Sequence, residues 1–99
     1  MPQTVEFWPD ETQAPVTISA RDASRLVEEL RRDGSRDALA LADKIEQASA
    51  LRATPGVELK VGEDEAALRA LGALRVTDDF LEALGRLERD IKAKIEREP

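Results

Sequence analysis

The chain has 99 residues and a formal charge of −6, and it contains no His and no Cys. That length predicts a single domain over residues 1–99, because it allows a modest hydrophobic core without disulfide or metal support. The acidic balance argues against nucleic acid as the main partner, and no apolar run approaches the roughly 20 residues of a membrane span. The first residues carry no secretory signal pattern, so we expect a cytoplasmic protein.

The first two predicted elements are strands. In residues 4–8, Val5 and Phe7 alternate with polar or exposed positions, which is the period-two pattern of a half-buried strand. Proline brackets the polar segment 9–15, so it predicts a hairpin loop from which residues 16–19 return antiparallel.

Ser19 marks the change from strand to helix. Its hydroxyl can accept from the free N–H groups of the first helical turn, and Asp22 can complete a capping box. The apolar spacing then becomes helical and predicts a helix from Ala20 to Arg32. Gly34 can take the left-handed conformation that commonly ends a helix.

A second helix is predicted from about Arg36 to Leu51, with Ser35 as its cap. Its apolar face has spacings of three and four and comprises Ala38, Leu41, Ala42, Ile45 and Ala48. Because only three residues separate the two helices, they should form a helical hairpin. The Thr54-Pro55-Gly56 segment then breaks the chain.

Val57, Leu59 and Val61 alternate with charged residues and predict a third strand that ends at Gly62. A third helix over about Glu63–Leu74 should bury Ala67, Leu71 and Leu74, with help from Leu68. Its first residues, Glu63, Asp64 and Glu65, are acidic, which suits the positive end of a helix dipole.

The fourth helix is predicted to begin at a cap on Thr77 or Asp78 and to end near Glu96. Its apolar stripe is Phe80, Leu81, Leu84, Leu87, Ile91 and Ile95. The order ββααβαα predicts a helix-rich α+β fold, with a small three-stranded sheet and two helical hairpins packed on one face. Strand, helix and helix occur twice, so residues 16–51 and 57–96 form a possible degenerate repeat.

The chemistry of a typical active site is missing from the sequence. Without His or Cys, the usual nucleophilic constellations cannot be assembled. Carboxylates occur in pairs, but capping and helix dipoles account for those at helix starts, and the glycines are too scattered for a phosphate-binding loop. We therefore expect no enzyme, no cofactor and no metal. Arginines around the first helical hairpin alternate with acids, which is typical of a solvated surface and not of a nucleic-acid site.

Trp8 is the most informative single residue. If Val5 and Phe7 face the core, Trp8 lies beside Glu6 on the opposite face of the sheet. A lone Trp there is typical of an interface anchor, because aromatic residues are enriched at binding hot spots. The alternative is that the loop after Pro9, or a helix, covers it.

These observations favour a non-enzymatic protein-interaction or regulatory module that acts through Trp8 or the fourth helix. One alternative is a small-molecule site between sheet and helices, in which Trp8 and an arginine hold a planar or anionic ligand. Another, based on charge alone, is an acidic inhibitor or antitoxin of a basic enzyme. The partner is thus another protein or a second copy of the chain.

The apolar stripe of the fourth helix predicts a homodimer. It is longer than one small sheet and a helical hairpin are expected to cover, and Ile91 and Ile95 are the residues predicted to remain exposed. Burying them in a two-fold contact would offset part of the entropy cost of association.

Overall fold

The computed structural model describes residues 4–9, 14–50, 56–76 and 82–97. The elements, in chain order, are β1 (Thr4–Trp8), β2 (Val16–Ser19), α1 (Ala20–Asp33), α2 (Arg36–Ala50), β3 (Gly56–Glu58), α3 (Glu63–Val76) and α4 (Glu82–Arg97). The predicted order ββααβαα and the helix-rich α+β class are therefore confirmed.

The sheet is mixed, with strand order β2-β1-β3. β1 pairs with β2 in the antiparallel sense, with Val5 opposite Ile18, and with β3 in the parallel sense, with Phe7 opposite Val57. A parallel neighbour requires a crossover connection, and the helical hairpin of α1 and α2 supplies it. β1 is consequently the central strand, with a neighbour on each side.

Local sequence signals set the boundaries of the first hairpin of helices. The Ser19 hydroxyl accepts a hydrogen bond from the Asp22 N–H at 3.2 Å and caps α1. Gly34 has a φ of 73° and ends that helix in the left-handed conformation. The Ser35 hydroxyl then accepts from the Ala38 N–H at 3.2 Å and caps α2. All three predicted caps are thus confirmed.

The core lies between one face of the sheet and the four helices. The strands contribute alternate side chains, and each helix contributes one apolar face. Its largest fully buried members are Phe7, Ile18, Leu26, Leu30, Leu41, Ile45, Leu71, Leu84, Leu87 and Ile91.

The prediction that the third strand runs to Val61 is wrong. The Leu59 N–H still donates to β1, at 3.3 Å, but the Lys60 N–H donates instead to the Glu63 carboxylate at 2.9 Å. The chain therefore leaves the sheet after Leu59 to begin α3. Val61 lies in the turn and is 84% exposed.

The expectation that Ile91 is left exposed is also wrong. Because α4 packs against both α3 and β2, Leu84 and Leu87 are buried, and Ile91 is 0% exposed. Ile95 is half-buried and packs against the core. The predicted start of this helix, with Phe80 and Leu81, lies outside the described residues, as do Thr54 and Pro55 of the predicted chain break, whereas Gly56 begins β3.

Candidate interaction surface on the open face of the sheet

The face of the sheet that points away from the helices carries alternate residues of all three strands. We call it the outer face, and it comprises Thr4, Glu6, Trp8, Thr17, Ser19, Gly56 and Glu58. Residues at its two edges, among them Thr17 and Glu58, are exposed, whereas those on the central strand are half-buried. The described helices therefore cover only the opposite face.

Trp8 lies in the middle strand of this face, against Gly56 on β3. A Cβ atom added at Gly56 would lie 3.0 Å from the indole Nε1 and 3.2 Å from Cδ1. The missing side chain of Gly56 thus provides the space that the indole occupies. Trp8 is half-buried, so its ring is held in place while part of it stays accessible. The predicted position of Trp8, on the face opposite Val5 and Phe7, is confirmed.

Two acidic residues flank the indole. Glu58 is the register partner of Trp8 on β3, and Glu6 precedes Trp8 by two positions on the same face of β1. No ion pair within the described ranges involves either carboxylate. The outer face therefore combines an accessible aromatic ring with two carboxylates that have no cationic partner in this part of the chain.

The acids at the start of α3 have a different environment. Glu63 and Asp64 are buried, and each is bound by a lysine from another helix. Lys44 Nζ lies 2.7 Å from Glu63 Oε1 and 2.8 Å from the Glu58 carbonyl oxygen. Lys94 Nζ lies 3.0 Å from Asp64 Oδ2 and 2.8 Å from the carbonyl oxygen of Leu59.

We call Lys44, Lys94, Glu63 and Asp64 the lysine clamp, because each lysine joins one carboxylate to one backbone carbonyl at the junction of β3 and α3. The sequence pattern predicted only the helix-dipole role of the two acids and did not reveal the lysines. Since these charges pair with one another and are largely removed from water, the clamp has the character of a structural element.

A shallow groove of about 210 Å³ lies between α1 and α3, lined by Glu29, Arg32, Asp33, Arg69, Ala70 and Ala73. Arg69 binds both carboxylate oxygens of Asp33, at 3.1 Å each. These bonds, together with one from Ser35, lower the pKa of Asp33 to about 2. The groove is smaller than most ligand pockets, and its two arginines are each paired with a carboxylate, Arg32 with Glu29 and Arg69 with Asp33. It also lies away from Trp8, where the sequence placed the alternative small-molecule site.

The predicted interaction residues do not form one surface. Trp8 belongs to the outer face, Ile91 belongs to the core on the other side of the sheet, and Ile95 is half-buried against that core. Trp8 and Ile95 are both partly accessible, but Trp8 alone of the three lies on the outer face.

Within the described ranges, no group of three or more acidic side chains is arranged to hold a metal ion. None of the helices in those ranges is long and apolar enough to cross a bilayer. In comparisons with protein-family models, curated proteins and solved structures, no match to the chain was found.

Proposed function

We propose that the protein is a non-enzymatic interaction module that binds a partner protein through the outer face, with Trp8 as its anchor. The observation that supports this proposal is the position of the indole, half-buried in the central strand of an otherwise polar and open sheet face. A large aromatic side chain held in place by its neighbours loses little conformational freedom on binding, which is a property of interface hot spots.

Water still reaches part of the indole, and covering that part favours binding. Fully buried aromatic side chains remove 150–250 Å² from water, and covering the smaller part of the indole that is still accessible is worth roughly 0.5–2 kcal/mol at about 25 cal/mol per Å². Thr4, Thr17 and Ser19 on the same face of the sheet supply hydroxyl groups that can pair with a partner at the rim. This division into an aromatic centre and a polar rim is typical of protein interfaces.

The test compares Trp8→Ala with Val76→Ala, which shortens an apolar side chain that is 87% exposed at the end of α3. A partner is first captured from native lysate with the wild-type chain and purified, and its affinity for both variants is then measured. We expect Trp8→Ala to weaken binding at least about ten-fold, and Val76→Ala to change it less than about two-fold.

Circular dichroism and urea unfolding establish that both variants fold. A folded Trp8→Ala that binds the partner as well as wild type contradicts the proposal. Turnover of a substrate by the purified chain alone would also contradict it.

The partner in an interaction module can also be a second copy of the same chain. The homodimer therefore stays a prediction. With Ile91 in the core, Ile95 is the one residue of the predicted contact that remains partly accessible. Sedimentation equilibrium on wild type and on Ile95→Glu tests it. A wild type that is monomeric at high micromolar concentration excludes the dimer, and a variant that dimerises as wild type does places the contact elsewhere.

A further inference from the structure

We infer that the partner presents a basic peptide segment to the outer face, and that an arginine of this segment stacks on Trp8 between the carboxylates of Glu6 and Glu58. The inference rests on the proposed function and adds the chemistry of the partner.

Acidic residues flank the Trp8 ring on two sides. Glu58 flanks Trp8 across the strands and Glu6 flanks it along β1, so a cation placed on the indole meets a carboxylate in two directions. Trp is the strongest cation–π acceptor among the side chains. Arginine suits such a site better than lysine, because its planar guanidinium can stack on the ring while its N–H groups donate outward in the same plane.

The rest of the outer face is uncharged. Thr4, Thr17, Ser19 and Gly56 complete it, and no ion pair within the described ranges joins Glu6 or Glu58 to a basic side chain. The formal charge of −6 adds a long-range attraction for a basic partner. An acidic segment would be repelled.

The same charges disfavour a second copy of this face as the occupant. In a two-fold contact through the outer face, the Glu6 and Glu58 carboxylates of one chain would approach those of the other, and like charges that meet at an interface are unfavourable. A basic segment is therefore a better occupant than another copy of the chain.

Trp8 itself provides the measurement, because it is the only Trp in the chain and there is no Tyr. Its emission is followed while the full chain is titrated with a blocked Gly-Arg-Gly-Arg-Gly-Arg-Gly peptide, with the lysine counterpart and with the glutamate counterpart. We expect a saturable change with the arginine peptide, an affinity about three-fold lower with the lysine peptide, and none with the glutamate peptide. Raising the salt concentration should weaken binding.

Two matched double variants assign the effect to the acids beside the ring. Glu6→Gln with Glu58→Gln should weaken arginine-peptide binding about five-fold, since two charge contacts are lost while Trp8 remains. Glu28→Gln with Glu65→Gln removes the same charge from exposed positions on α1 and α3, and it should change affinity less than about two-fold.

The inference is overturned if the arginine peptide gives no saturable change up to about 1 mM, if the glutamate peptide binds equally well, or if the two double variants behave alike. It fails separately from the proposed function. A native partner that needs Trp8 but is indifferent to Glu6→Gln with Glu58→Gln disproves only the inference, whereas a partner indifferent to Trp8→Ala disproves the proposed function.

Discussion

The lysine clamp and the outer face hold acidic residues in opposite situations. In the clamp, Glu63 and Asp64 are buried, and each is bound by a lysine that also binds a backbone carbonyl. On the outer face, Glu6 and Glu58 are partly or fully exposed beside an aromatic ring and form no ion pair within the described ranges. Glu58 participates in both regions, because its carbonyl oxygen binds Lys44 while its side chain belongs to the outer face.

This difference separates structural charge from charge that is available for binding. A buried carboxylate must be paired, because leaving it without a cation costs several kcal/mol, so the clamp acids have no freedom to accept another ligand. An exposed carboxylate has no such requirement, since water solvates it. Acidic residues that look alike in the sequence therefore differ in whether their charge is already paired. The positions of the lysines decide which carboxylates are paired.

The largest expected effect is that of Lys94→Met, which removes the cation of the better-buried pair. The Lys94 side chain is 12% exposed and that of Asp64 is 5% exposed. Removing the Lys94 charge from beside the buried Asp64 carboxylate should lower the free energy of unfolding by about 3 kcal/mol. Urea denaturation followed by circular dichroism measures the change.

Lys92→Met is the matched control on the same helix, because the Lys92 side chain is 56% exposed and its partner Glu88 is also bound by Arg75. It should cost less than about 0.5 kcal/mol. Equal losses for the two variants would mean that burial does not distinguish the clamp from an ordinary surface pair.

Lys44→Met should have a smaller effect than Lys94→Met. The Lys44 side chain is 30% exposed, so water solvates part of the pair, and Glu63 keeps the hydrogen bond from the Lys60 N–H. We expect a loss of about 1 kcal/mol in the free energy of unfolding, measured in the same way. A loss as large as that of Lys94→Met would show that the two halves of the clamp are equally shielded.

Gly56→Ala tests the contact that positions the indole. The new Cβ would lie 3.0 Å from Trp8 Nε1, so the ring must move, and we expect a red shift of Trp8 emission together with a stability change below about 1 kcal/mol. Gly72→Ala is the control, because nothing lies within 4 Å of its added Cβ. Within α3 it should stabilise the fold by about 0.5–1 kcal/mol without changing Trp8 emission. An unchanged emission in Gly56→Ala would contradict the proposed support of the ring.

The smallest effect concerns Asp33, an exposed acid paired with Arg69. Its pKa is lowered to about 2 from 3.8, so the pair contributes stability that is fully present above pH 4 and is lost as the pH falls toward 2. A titration of the Asp33 carboxyl group by NMR should place its midpoint near the lowered pKa. Asp33→Asn should make the free energy of unfolding depend less on pH in this range. In Arg69→Gln the midpoint of the Asp33 titration should rise. An unchanged midpoint would contradict the conclusion that Arg69 lowers the pKa of Asp33.

Much of the fold was predictable because its signals are local. The alternation in β1 and β2, the caps at Ser19 and Ser35, and the left-handed turn at Gly34 each depend on residues no more than a few positions apart. The same alternation placed Trp8 on the outer face. Such features follow from backbone geometry and do not require knowledge of the packing.

The incorrect predictions and the missed ion pairs depend on contacts between residues that are far apart in the sequence. Lys44 lies 19 positions from Glu63, and Asp33 lies 36 positions from Arg69, so neither pair leaves a periodic signal in the sequence. The end of β3 was misplaced because alternation continues to Val61, although the Glu63 carboxylate captures the Lys60 N–H and turns the chain. Burial of Ile91 depends on where α3 and β2 lie relative to α4, which the pattern of one helix cannot specify.

Lys44 also affects how the sheet can grow. The Leu59 N–H points toward β1, so the polar groups of the neighbouring Glu58 point to the free edge of β3. The Glu58 carbonyl there is already occupied by Lys44, and the strand is only three residues long. An incoming strand would find few free groups to bond with, and short, lysine-covered edges are a known protection against aggregation. The clamp thus leaves the β3 edge of the sheet with few groups for pairing with a strand of another molecule.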